Sequence, residues 1–243
     1  MSKVTNTTIG HYNVKEYKDM VPLWLQSEIA TMVKPSSLLD PSVLFNQILA
    51  GLMLGDGHIT RPVGNGNCHL SFGCAWKDHN LSMWVSVLTA CHKLDLGTGQ
   101  FAKSERFRNG KYSYNVIGYS QAHPLFTELR KFWYPGGDKC VPANIGEFLS
   151  PACLAFWFIG DGGSLGKCEL ALNSQGFSIP EQELLRAELL TKLGLKSRLG
   201  KDKIYKRIVL LAESSRTFST MLRPLVHPSV HYKMRFIRTR ADK

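Results

Sequence analysis

Apolar positions along the chain gather into two long runs that end alike. The first opens at Asp40-Pro41-Ser42, continues through Val43-Leu44-Phe45-Asn46-Gln47-Ile48 and closes on Leu49-Ala50-Gly51-Leu52-Met53-Leu54-Gly55-Asp56-Gly57. The second opens at Ser150-Pro151-Ala152-Cys153 and closes on Leu154-Ala155-Phe156-Trp157-Phe158-Ile159-Gly160-Asp161-Gly162. A capping residue followed by proline starts a helix, since proline lacks an N–H that the first turn would leave unpaired. Glycine ends one by entering the left-handed conformation. Both runs are predicted helices closing at Gly-Asp-Gly, their aspartates 105 residues apart.

The segments downstream of the two runs also match. After the first come a strand at 69–72, a helix at 78–93, a hairpin at 100–119 turning on Asn109-Gly110, and a helix at 124–132. After the second come a strand at 169–172, a helix at 180–193, a hairpin at 197–212 and a helix at 217–225. The patterns switch between the two-residue period of strands and the 3.6-residue period of helices. Two α+β halves, 41–147 and 148–243, are expected about a pseudo-two-fold axis, behind an extension at 1–40. Within that extension 20–33 reads as helical, and no function attaches to it.

Composition narrows the classes. At 44% hydrophobic and 20% charged residues the chain is neither disordered nor collagen-like. Stretches without charge are too short for a bilayer, which needs about 20 apolar residues. The first twenty residues lack the apolar core of a signal peptide, so an intracellular protein with no membrane partner is expected. Charge adds more. The net is +11, and residues 196–243 alone hold thirteen basic and three acidic side chains. Such a concentration points to a polyanion, nucleic acid before membrane; a generically basic enzyme is the competing reading. Six cysteines without C-x-x-C spacing read as buried reduced thiols.

The two nine-residue segments, with Leu172-Asn173-Ser174-Gln175-Gly176-Phe177, Lys139-Cys140-Val141-Pro142 and Tyr232-Lys233-Met234, resemble the LAGLIDADG homing endonucleases. The likeness is to the single-chain, double-motif, intron-encoded branch, and it covers about residues 41–237. It implies two αββαββα halves packed through the LAGLIDADG helices, with curved antiparallel sheets forming a DNA-binding saddle. Leu54 and Ile159 depart from the motif, and Phe156 stands where a small residue would line the helix seam.

The chemistry comes from the pairing. Ala50, Gly51 and Gly55 on one helix, with Ala155 and Gly160 on the other, would let two backbones approach. That sets Asp56 and Asp161 side by side at helix C-termini, whose unpaired carbonyls also favour cations. One such aspartate alone would read as a turn cap. The pair, with Gly55 and Gly160, reads as a Mg²⁺ site of the kind that carboxylates, water and phosphate oxygens build; Mn²⁺ or Ca²⁺ could replace it for binding. The resemblance puts Lys139 and Lys233 near the scissile phosphates, solvated surface lysines being the alternative. It makes Gln175 a holder of active-site water, with Ala75 as its rough counterpart in the first half; a plain strand-end polar residue is the alternative. It also makes the hairpins the DNA-reading surface. Arg106, Arg108, Lys111, Tyr112 and Tyr114 alternate along one, and Arg198, Lys201, Lys203, Tyr205, Lys206 and Arg207 crowd the other. His58, Arg61, Asn65 and Asn67 would extend the first. A merely solvated sheet face is the alternative, and residue type alone does not tell base contacts from phosphate contacts.

The expected protein is a monomeric Mg²⁺-dependent endonuclease that cuts both strands of a double-stranded DNA target of about 20 bp, roughly two turns of B-DNA. The resemblance implies cutting across the minor groove with short 3′ overhangs, and a mitochondrial or other organellar origin. The rivals are a maturase binding its host intron RNA on the same fold, and a DNA-binding protein that does not cut.

Overall fold

The computed structural model describes residues 5–33, 42–62, 64–97 and 99–234. The expected capping pair Asp40-Pro41 lies outside them, as do Arg235, Arg238, Arg240 and Lys243 of the basic C-terminal stretch. The elements are β1 (Thr5–Asn13), a 3₁₀ helix (Val14–Met20), α1 (Leu23–Thr31), α2 (Val43–Leu54), β2 (His58–Ile59), β3 (Leu70–Ala75) and α3 (Asp78–Lys93). Then come β4 (Gln100–Arg108), β5 (Lys111–Tyr119), α4 (Pro124–Trp133), α5 (Pro151–Asp161), β6 (Gly162–Leu165) and β7 (Glu169–Leu172). The chain continues with α6 (Ile179–Leu193), β8 (Ser197–Asp202), β9 (Tyr205–Leu210), α7 (Ala212–Leu222) and a 3₁₀ helix (Pro228–Met234). From α2 to α4 and again from α5 to α7 the order is αββαββα, an α+β fold with antiparallel sheets.

The chain forms two compact units, Met1–Ser42 with Asp56–Arg130, and Val43–Gly55 with Lys131–Lys243. In the first, the sheet order is β1-β4-β5-β3-β2. Trp84 of α3, fully buried, lies against Gly118 of β5, where an added Cβ would stand 2.5 Å from its Nε1. No larger residue fits there, so the glycine lets α3 seat on the sheet. The hairpin turns at Asn109 (φ 52°) and Gly110 (φ 76°), the left-handed pair that a two-residue turn needs.

In the second unit the order is β6-β7-β9-β8, which repeats β2-β3-β5-β4 without the added β1. α2 belongs here because its partner is α5. A Cβ at Gly51 would overlap the Cys153 carbonyl oxygen and come within 2.8 Å of Phe156 Cβ, so the backbones meet there. At Gly55 a Cβ would make only ordinary contacts, at 3.6 Å. The seam is therefore narrowed at Gly51, and Phe156 is accommodated against it. α6 starts from a capping box in which Ser178 and Glu181 exchange hydrogen bonds, and ends at left-handed Gly194 (φ 65°). Glu181 also accepts from the Val141 N–H at 2.7 Å. Burial would raise its carboxyl pKa, but the bonds from Ser178 and Val141 outweigh that and hold it below the ordinary value.

Several sequence expectations change. Gly162 caps α5 with an extended backbone (φ −87°), not a left-handed one, because the chain runs straight into β6. α7 begins at Ala212, five residues early: buried Ser214 and Ser215 bond back to the N–H groups of Lys196 and Leu170, anchoring its first turn. β1 was not anticipated. The cysteines are all free, yet only Cys68, Cys91 and Cys153 are buried; Cys168, in the β6–β7 turn, is exposed. Burial pushes the Cys91 and Cys153 thiols up to about 12, so neither is a thiolate near neutrality. Among the described residues no helix is long and apolar enough to cross a membrane.

Candidate catalytic helix ends and nucleic-acid surface

The ends of α2 and α5 repeat one arrangement. The Ser150 hydroxyl accepts from Cys153 N–H at the head of α5 and donates to Gln47 of α2 at 2.9 Å, fixing the register of the two helices. At the other end, Lys139 Nζ donates to the Gly55 carbonyl at 2.8 Å. Lys233 Nζ donates to the carbonyls of Ile159 at 2.6 Å and Gly160 at 3.2 Å. Gly55 and Gly160 hold equivalent motif positions, so each lysine neutralises the negative pole of its own helix. Lys139 is aimed by its loop, where Cys140 N–H donates to Trp133 and Val141 N–H to Glu181. Its ammonium stands 6.0 Å from the Phe177 ring centroid. Lys233 is aimed by the last 3₁₀ helix, whose Val230 and Met234 are fully buried.

Half-buried Asp161 closes α5; its carboxylate oxygen is 3.6 Å from the Cβ position of Gly55. Its carbonyl accepts from Asn173 N–H at 2.9 Å, which binds the helix end to the strand-end segment carrying Gln175. Asp56 comes directly after Gly55 and is exposed. The donors are hard oxygens: carboxylates and glycine carbonyls, each carbonyl having a second lone pair beyond its lysine bond. Among the described residues no group of three or more His, Cys, Asp or Glu is placed to hold a metal. These side chains therefore do not form a closed protein cage. One or two carboxylates shared with phosphate and water suit Mg²⁺, and these residues fit that pattern.

Gln175 lies in the segment that follows β7. Its amide donates to Asp202 at 2.7 Å, and Arg207, 3.9 Å from Asp202, donates to Asn173 at 3.1 Å. The four side chains form one network toward the turn end of the β8–β9 hairpin. Asn173 and Asp202 were missed in the sequence; the two-residue spacing of Glu169, Ala171, Asn173 and Gln175 was the available signal.

Strand register divides the hairpin residues between faces. In the first sheet Arg106 pairs with Ser113, Arg108 with Lys111, Glu105 with Tyr114 and Phe107 with Tyr112. Alternation therefore puts Arg106, Arg108 and Lys111 on the face away from α3. Tyr112 and Tyr114 share the other face with Val116 and Gly118. There Lys103 Nζ lies 4.6 Å from the Tyr114 ring centroid and 5.0 Å from that of Trp76. In the second sheet Arg198 pairs with Val209, Gly200 with Arg207 and Asp202 with Tyr205. These arginines and Tyr205 share a face with Asp202. Lys201 and Lys206 pair on the opposite face, which carries the buried Ile208 and Leu210. Lys203 sits in the turn (φ 56°). Of the first-half additions, His58 pairs with Ser71 in β2, Asn67 accepts from Thr127 at 3.1 Å, and Arg61 and Asn65 are exposed.

Two motif helices packed at a glycine, each leading into the same strand and helix order, define a double-motif LAGLIDADG protein. The chain belongs to the LAGLIDADG DNA endonuclease family, whose model matches residues 46–218. It is 26% identical over 246 residues to the cytochrome b mRNA maturase bI2 of Debaryomyces hansenii, covering 96% of this chain and 92% of that protein. It is 30% identical over 119 residues to the probable intron-encoded DNA endonuclease 3 of Mycosarcoma maydis, covering 46% of this chain and 88% of that one. Its fold matches the homing endonuclease I-WcaI bound to its DNA recognition sequence, with a TM-score of 0.66, 22% identity, and 79% and 86% of the two chains covered.

Proposed function

We propose that the chain is a site-specific homing endonuclease that hydrolyses both strands of a long, imperfectly palindromic duplex, acting as a monomer in an organelle. The observation that carries this reading is the repeated helix end, with Lys139 on Gly55 and Lys233 on Gly160 next to the motif aspartates in the chain. Asp161 and Asp56, with the glycine carbonyls, are the residues that would hold Mg²⁺. When bound, it supplies an activated water and offsets charge on the leaving oxygen. The lysines stabilise charge building on the scissile phosphates, one per strand. Arg106, Arg108 and Lys111 in the first sheet, and Arg198, Arg207 and Tyr205 in the second, form the duplex-binding faces. The Gln175–Asp202–Arg207–Asn173 network holds the second of these in place.

A second reading is RNA binding as an intron maturase, with or without cleavage. It is favoured by the maturase-named relative, which aligns over 96% of this chain, where the endonuclease-named one aligns over 46%.

The test is selection of cleaved molecules from a randomised duplex library incubated with the protein and Mg²⁺. Recovery of one family of related sites is expected. A library that stays intact, or is cut without sequence preference, would overturn the nuclease reading.

A further inference from the structure

The extension ahead of the repeat builds a feature that duplex cleavage does not use. Its 3₁₀ helix, Val14–Met20, lies on α3, where Ser82 Oγ donates to the Met20 carbonyl at 2.7 Å. Between them opens a cavity of about 300 Å³. Val14 and Leu88 wall it, and Lys15, Lys18 and His92 stand at it. In a 3₁₀ helix residues three apart are eclipsed, so Lys15 and Lys18 project on one side. A second cavity of about 360 Å³ shares Asn13, Lys15 and Gly99 with the first and continues to His11 and Gln100 at the end of the sheet. The two make one groove with an apolar pocket, the exposed Lys15 and Lys18, two imidazoles and, among the described residues that line it, one carboxylate, Glu16.

We propose that this groove binds a single-stranded segment of RNA, one unpaired base entering the pocket against Leu88 and Val14 and the flanking phosphates meeting Lys15 and Lys18. The pocket is narrow for a duplex yet roomy enough for one base and its sugar. The preference for RNA rests on the maturase reading. The family model begins at residue 46, beyond the groove's 3₁₀ helix, whereas the maturase-named relative leaves only about ten of the 243 residues unaligned. The 3₁₀ side of the groove therefore aligns with that relative and lies outside the family-model match, while its α3 side, with Leu88 and His92, lies inside it.

The test uses the full chain and a fluorescein-labelled 12-nucleotide single-stranded RNA of mixed sequence, a DNA strand of the same sequence, and a duplex. The double variant Lys15→Gln/Lys18→Gln is expected to bind the RNA about tenfold more weakly, with a salt slope shallower by roughly 0.7 per lost phosphate contact, and to keep wild-type duplex affinity. Leu88→Ala, which leaves both lysines, should weaken RNA binding without changing the slope. If wild type binds the RNA and neither variant differs from it, the groove assignment is wrong and the maturase reading stands. If wild type prefers the DNA strand, the pocket takes a displaced DNA base and the RNA assignment is wrong. Wild type that binds neither strand overturns the groove and removes support from the maturase reading together.

Discussion

In the second sheet Arg198 reaches Glu169 at 2.7 Å, and Arg207 is held between Asn173 and Asp202. In the first sheet, among the described residues, no carboxylate forms an ion pair with Arg106, Arg108 or Lys111. The strand orders correspond, yet the cations are prepared differently. Those of the second sheet are oriented in advance, and part of their charge is already answered by acids. Those of the first carry their full charge toward a polyanion but must be ordered by it. Pre-ordered groups favour selectivity, while unanswered charge favours affinity and its salt dependence. The first sheet is thus expected to supply more of the electrostatic grip, and the second more of the discrimination.

The largest expected effect lies outside that contrast and tests what both halves share. Asp161→Asn keeps the shape of the helix end and removes a ligand charge worth several kcal/mol in the transition state, so strand cleavage should fall by about 10³ or more. Duplex binding in a mobility-shift titration should persist. Cleavage undiminished in Mg²⁺ would refute the ligand role.

Next come the lysines, which separate the halves. Lys233→Ala or Lys139→Ala should slow one strand by about 10² to 10³ and leave the other. On a supercoiled plasmid carrying the target, each variant should accumulate open circles before linear product, with nicks on opposite strands. Lysines that only cap their helices would give no excess of nicked plasmid over wild type.

Smaller again is the effect on the seam. Gly51→Leu should cost about 1–3 kcal/mol, because the Cys153 carbonyl and Phe156 already occupy the space. Gly55→Ala should cost less than half of that, as its Cβ would meet only ordinary contacts. Thermal unfolding of both variants checks the order; equal losses would move the tight point of the seam.

The smallest effect is the one that compares the sheets directly. Removing Arg106 and Arg108 together should flatten the salt dependence of duplex binding by about 0.9 per lost phosphate contact. Removing Lys201 and Lys206, on the other face of their hairpin, should change it less. A larger change from the lysine pair would mean that the reading face of the second sheet has been assigned the wrong way round.

Much of this was legible in the residues. Helix capping at Ser150-Pro151, the Asn109-Gly110 turn and the alternation in both hairpins are local chemistry, and each predicted its element within a few residues. The repeat itself was visible because two apolar runs ended in Gly-Asp-Gly. What escaped was decided at a distance. β1 pairs with β4 over about ninety intervening residues, and its polar composition carries no apolar signal. Asp202 and Asn173 matter only because the sheet brings them to Arg207 and Gln175. The division of Tyr112 and Tyr114 from Arg106 was available in principle, since neighbouring side chains on a strand point oppositely. It needed the register across the turn, which fixes which parity faces α3. The lysine–carbonyl bonds span 84 and 73 positions, and no local pattern announces them.

The central claim is that two equivalent helix ends hydrolyse two DNA strands, and one measurement meets it most directly. A target recovered from the library is labelled on each strand in turn and incubated with wild-type protein and Mg²⁺, and products are resolved on a denaturing gel. Both strands should be cut at fixed positions in a metal-dependent reaction. Tight binding of the duplex with neither strand cut, in Mg²⁺ or Mn²⁺, would contradict the claim and leave a DNA-binding protein that does not cut as the reading.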